Sequence, residues 1–273
     1  MLQMHLRGYV TPEDFSGSDT QRLQKALDTS RELDIGRVVL SGSYTVDQTV
    51  WVSPMTDIVL EGAALTAAGD FPMLANRNLA EADRHSYSFQ EQFITLRGNG
   101  KLAGNVVFYN AFHVNINGPE FLGDLRFFFT REVRLYNSRF SGKNGVVLGM
   151  GSNNFIMQNL TADCCGTAIV MDTTETISDY VIGKEADIHD IILQDSTFHT
   201  TASAVTMNGT DGATIYNVQM DHLSSNGVTL EVGTAGTTVS ESCYFNLTGE
   251  HFRSGVQESI VLNNAVKHCY FPG

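Results

Sequence analysis

The sequence predicts an all-β protein: a parallel β-solenoid closed at its N-terminal end by one α-helix. Three observations predict it. Short apolar segments recur at a near-constant spacing, an Asn, Asp or Gly returns at one place in each repeat, and one amphipathic helix pattern precedes them. The 273 residues include 25 glycines and only 5 prolines, a composition that supplies turns without interrupting strand ladders.

The helix comes first. Ser18 and Gln21 form a capping-box pair, and Leu23, Ala26, Leu27 and Leu33 share one face. The pattern covers residues 19–34 and stops near Ile35-Gly36, where Val38-Val39-Leu40 reads as strand. Residues 1–50 are expected to form a cap region, and 51–273 the rungs of the same single domain.

The rungs follow from a repeat. Val133, Leu135, Asn137 and Phe140 set a four-slot pattern. It returns as Phe155, Met157, Asn159 and Ala162, as Ile191, Leu193, Asp195 and Phe198, and as Ala213, Ile215, Asn217 and Met220. Looser copies stand at Val114, Ile116, Gly118 and Phe121, and at Ile260, Leu262 and Asn264. The third slot advances through 118, 137, 159, 195, 217 and 264, so most turns take about 22 residues. A second apolar strand follows most copies: Gly145–Leu148, Ala168–Met171, Ala204–Met207 and Gly227–Leu230. A turn this short cannot cover its own apolar face and must stack on its neighbours, at a spacing of ~4.8 Å. The third slot holds residues that tolerate left-handed backbone, so this column is expected to be a structural ladder at a bend between strands. Insertions near 71–92 and 173–187 break the period and are expected as loops.

Charge and composition exclude several classes. Seventeen Lys and Arg against thirty Asp and Glu leave −13, which disfavours nucleic acid and anionic membrane surfaces. No apolar run reaches the roughly 18 residues of a membrane span, so no membrane insertion is expected. The start MLQMHLRGYV lacks the basic-then-apolar order of a secretory signal. Four cysteines are too few for a disulfide framework and are read as reduced, with Cys243 and Cys269 as stacked core residues. No His or Cys spacing matches a zinc site, and no phosphate-cradling glycine loop is visible, so neither metal nor cofactor is expected.

The segment from Tyr9 to Val52 resembles the N-terminal signature of the pectate-lyase superfamily. Its helix start is Asp19-Thr20 and its strand Gly42-Ser43-Tyr44-Thr45-Val46. The opening Val10-Thr11-Pro12-Glu13-Asp14-Phe15 is similar to entries into the tailspike proteins of bacteriophages and prophages. This resemblance implies a right-handed single-stranded parallel β-helix of the pectin-lyase-like type, and a parallel homotrimer. The turns at 137–148 and 159–171 distantly resemble glycoside hydrolases of the polygalacturonase type. The first aspartate of that family's Asn-Thr-Asp motif falls on Asn144, its Asp-Asp pair on Cys165-Gly166, and its Gly-His-Gly histidine on Asn226. None is retained, so that two-carboxylate machinery is absent. The arginine-based motif of pectate lyases is not visible either, and the −13 charge disfavours a polyanionic pectin unless calcium intervenes.

Another column offers chemistry. Four positions beyond the third slot stand Ser141, Asp163, His199 and Asp221, with His222 next in line. Asp163, His199 and Asp221 are therefore the expected catalytic acid and base groups. The insertion supplies Asp172, Glu175 and Tyr180, expected to overhang that column as a groove wall. Together with His222, Asn144 and Asn226 they are expected to bind sugar hydroxyls. Consecutive residues on a strand face opposite ways, so at least one of Phe127, Phe128 and Phe129 is expected to be exposed, as a stacking platform or an interface. Trp51 is expected in the core. Arg126, Arg131, Arg134 and Arg139 form the one basic concentration, to pair with acidic neighbours or to contact an acidic sugar.

The expected function is a phage tailspike-like β-helix that binds a bacterial surface polysaccharide or oligosaccharide, with or without cleaving it as a glycoside hydrolase or lyase. It would be carried on a virion tail, or be cytoplasmic at synthesis, and would act at a bacterial surface. The alternative is a non-catalytic carbohydrate-binding or structural adhesion β-helix that has lost its polygalacturonase-type residues.

Overall fold

A computed structural model describes residues 2–81, 90–163, 166–177, 187–199, 202–221, 228–230, 238–240, 243–245, 252–254, 260–262 and 265–267. Each full rung contributes three strands, as in Arg131–Tyr136, Arg139–Phe140 and Val146–Leu148. The first and second strands belong to one continuous 18-stranded sheet, and the third strands form a nine-stranded sheet. Every pairing between rungs is parallel, in keeping with a coil.

Apolar alternation puts one residue in two inside the coil. Along Arg131–Tyr136, Val133 and Leu135 are fully buried while their neighbours are not. Register then stacks like on like. Phe121, Phe140, Ala162, Phe198 and Met220 form one inward column. Phe121 and Phe140 stack with centroids 5.1 Å apart, and Phe127 lies 5.5 Å from Phe108 and edge-on to Phe155 at 5.2 Å.

The bend after each first strand is the expected ladder. Asn137, Asn159, Asp195 and Asn217 have φ of 53°, 54°, 51° and 50°. Their side chains bond from rung to rung: Asn137 Nδ2 to Asn117 Oδ1 at 2.9 Å, Asn159 Nδ2 to Asn137 Oδ1 at 2.7 Å, and Asn217 Nδ2 to Asp195 Oδ1 at 2.8 Å. A second ladder holds the bend before the third strands. Asp124 N donates to Asn105 Oδ1, Asn144 N to Asp124 Oδ1, and Thr167 N to Asn144 Oδ1, at 3.0, 2.9 and 3.1 Å.

Two helices precede the strands, α1 at Leu2–Arg7 and α2 at Asp19–Glu32. In α2, Ser18 Oγ accepts from Gln21 N while Ser18 N donates to Gln21 Oε1, the reciprocal cap its spacing predicts. Leu23, Ala26 and Leu27 are buried against the apolar interior of the first rungs, beside Val38, Leu40 and Leu60. Polar ties fix the helix there: Asp19 Oδ2 accepts from Thr45 N at 2.8 Å, Thr20 Oγ1 from Asp47 N at 2.9 Å, and Gln24 Oε1 from Trp51 N at 2.7 Å. α2 thus covers the end of the coil, which would otherwise expose apolar core and unpaired strand edge. It ends two residues earlier than expected, leaving Leu33 as a partly exposed C-cap.

Two aromatic assignments need correcting. Trp51 lies between the inward residues Val50 and Val52, so it faces out of the coil. None of Phe127, Phe128 and Phe129 is exposed, at 0%, 3% and 5%. Phe128 does point outward, but it belongs to a second apolar cluster with Ala75, Val107 and Tyr109. Leu79 and Ile177, from the two insertions, pack over that cluster.

Candidate functional site

The second strands end on a common line. Inward Ala162, Phe198 and Met220 stack in register, and the residue after each turns outward: Asp163, His199 and Asp221. His199 and Asp221 are direct register partners, with His199 Nδ1 3.7 Å from Asp221 Oδ2. The His199 side chain is 40% exposed and that of Asp221 16%, so the pair is open on one side. Asp163 is exposed one rung before, its N–H bonded to Phe140 O at 2.8 Å. Ser141 precedes it, its Oγ 3.5 Å from Glu120 Oε1. A rung spacing of ~4.8 Å puts the backbones of Asp163 and Asp221 about 9.6 Å apart, with His199 between them.

Three other expected site residues, Asp172, Glu175 and Asn144, stand elsewhere. Asp172 ends the third strand Ile169–Asp172, so that strand separates it from Asp163. Its Oδ1 accepts from Thr174 N, Thr174 Oγ1 and Asn208 Nδ2, at 2.8, 2.7 and 3.0 Å, closing a turn. Glu175 is ion-paired with Arg126 at 2.9 Å. The described start of the insertion therefore folds back over the nine-stranded sheet and does not overhang Asp163 and His199. It leaves from the far end of a third strand, and Ile177 and the Arg126–Glu175 pair hold it on that sheet's outer face. Asn144 uses its side chain in the second ladder, where Nδ2 also reaches Asp124 Oδ2 at 3.4 Å. Tyr180, His222, Asn226 and Cys269 lie outside the described residues, as does the side chain of Cys243.

Three of the four arginines are engaged with other groups of the chain. Arg126 also lies over the Phe128 ring at 5.4 Å. Arg131 bonds Gln90 Oε1 at 2.6 Å, and Arg134 bonds Val133 O and Asn154 O. Among the described residues no group of three or more His, Cys, Asp or Glu is placed to hold a metal ion, and no helix is long and apolar enough to cross a membrane. Two exposed aromatics, Phe93 and Tyr216, went unmarked in the sequence. Phe93, 46% exposed, stacks on His113, and only the three-dimensional register reveals that contact.

No protein-family model matches the chain, and no curated protein matches it in sequence. Solved structures match its fold. The surface protein and adhesin PfbA of Streptococcus pneumoniae superposes with a TM-score of 0.65 at 14% identity, over 95% of this chain and 86% of that one. A mutant tailspike protein of E. coli bacteriophage HK620, in complex with a pentasaccharide, gives 0.53 at 10% identity, over 100% and 68%. The catalytic domain of a GH87 α-1,3-glucanase, in complex with nigerose, gives 0.53 at 14% identity, over 96% of this chain but only 58% of that one. At such identities the likeness is one of fold, and the fold is the right-handed parallel β-helix.

Proposed function

We propose that this chain is a tailspike-like β-helix that binds a bacterial surface polysaccharide and hydrolyses it at the Asp163–His199–Asp221 column. The observation that carries the proposal is the register: two carboxylates on alternate rungs with a histidine between them, all at the surface. Hydrolysis needs one carboxyl group to protonate the leaving oxygen and another to take a proton from water. A two-rung backbone separation of about 9.6 Å is nearer the roughly 6.5–9.5 Å between the carboxyl groups of the inverting arrangement, which leaves room for that water, than the roughly 5 Å of a covalent one. Asp221 is the base, with His199 Nδ1 3.7 Å from its Oδ2, and Asp163 is the acid. Water attacks the anomeric carbon and gives its proton to Asp221. The glycosidic bond breaks, and the leaving oxygen takes its proton from Asp163. The tailspike likeness extends the proposal to a homotrimer carried on a phage tail and acting at the bacterial cell surface.

The non-catalytic adhesion β-helix is the second reading. It is favoured by the fold likeness to the pneumococcal adhesin and by the structural use of Asn144. Incubation with a panel of bacterial capsule and O-antigen polysaccharides, scored for new reducing ends and unsaturated products, separates the two. Hydrolysis by the wild type is expected, with a loss on the order of 10²–10⁴ in Asp163→Asn and in Asp221→Asn. Retention without products supports adhesion. Undiminished cleavage by both variants removes the column from the chemistry.

A further inference from the structure

A second row of side chains runs along the corner where each rung enters its first strand. Met55, Phe93, His113, Glu132, Asn154 and Asp190 hold one register position on successive rungs. All six have left-handed backbone, with φ of 60°, 58°, 56°, 54°, 57° and 56°. The next rung has Gly212 there, at φ 67°. Glycine adopts this conformation freely, whereas L side chains meet a steric penalty. Six rungs therefore keep a side chain where glycine would be easier. The kink also turns two adjacent residues outward, as at Phe112 and His113 or Arg131 and Glu132.

The row has an apolar and a polar half. Phe93 stacks on His113 with centroids 4.9 Å apart and planes at 12°. His113 Nδ1 is 3.1 Å from Glu132 Oε2, so the histidine is oriented from both sides. Phe93 and Met55 remain 46% and 66% exposed. An oriented aromatic surface beside amide and carboxylate groups fits a sugar ring, which has an apolar C–H face and a rim of hydroxyls. Glu132 and Asp190 on the same row repel acidic sugars.

We propose that this row is a second carbohydrate-binding face, along which a neutral oligosaccharide runs, with one pyranoside against Phe93 and a later unit held through its hydroxyls by Glu132 and Asn154. The proposal rests on the polysaccharide reading of the chain but not on the Asp163 column. The test is retention on an array of neutral and acidic bacterial surface polysaccharides, with the thermal midpoint measured in parallel. Wild type is expected to retain neutral glycans. Phe93→Gly is expected to lose retention at least tenfold with an unchanged or higher midpoint, because the left-handed strain is relieved. Phe93→Tyr is expected to restore retention, and Glu132→Gln to weaken it several-fold. Wild-type retention by Phe93→Gly overturns the second face alone, as does a loss that tracks the midpoint and is not rescued by Phe93→Tyr. A wild type that neither retains nor cleaves any glycan overturns this proposal and the polysaccharide reading together.

Discussion

Glu91 lies under the first insertion, where its Oε2 accepts from Asn76 Nδ2 at 2.6 Å and from Asn78 N at 3.0 Å. Burial pushes its carboxyl above the ordinary value of 4.5, outweighing those bonds. A raised acid binds its proton more tightly in the folded state. Its favourable contribution is therefore present below the ordinary value and is lost as pH rises through the raised one. Glu91→Gln keeps an acceptor for both donors and removes the charge. It is expected to raise the thermal midpoint at pH 7 and to raise it less at pH 4, as calorimetry can read. Equal shifts at both pH values would show that the charge is not the cause. Asp57 has the opposite sign. Burial pushes it up, but bonds from Arg97 and Arg37, at 2.8 to 2.9 Å, hold it below the ordinary 3.8. Its contribution stands above that value and is lost as pH falls through the lowered one. Neither environment was legible in the sequence, because each depends on which rungs become neighbours.

The helix was legible because a capping box and a 3.6-residue stripe are local signals. Its exact face was not. Leu27 and Leu33 share the stripe, yet Leu27 is 4% exposed in the core while Leu33 sits on the C-cap. Leu27→Ala is expected to cost about 2–5 kcal/mol, and Leu33→Ala to stay within about 0.5 kcal/mol, as denaturant titration can read. The third strands show the same limit. Val50, Trp51 and Val52 are all apolar, and so are Phe127, Phe128 and Phe129. Alternation says that neighbours diverge. It does not say that the outward ones are covered, and here the two insertions cover them with Leu79 and Ile177.

Across the whole molecule, each rung contacts mainly the rungs above and below, so stability is close to a sum of neighbour terms. Phe127 sits mid-stack, in register between Phe108 and Leu148, with Phe155 edge-on from the other sheet. Phe127→Ala is expected to cost about 3–5 kcal/mol and to split one calorimetric transition into two, as the rungs on either side uncouple. A single transition at a lower midpoint would mean that coupling spreads beyond adjacent rungs. The period, the parallel stacking, the asparagine ladder and the lid could be read from residue order alone. Each follows from short-range chemistry: alternation, capping oxygens and tolerance of left-handed backbone. The direction in which the insertions fold, the burial of the outward aromatics and the row from Phe93 to Asp190 emerged only from the coiled chain. They depend on contacts between rungs and on one kink per turn, and neither leaves a signal within a single repeat.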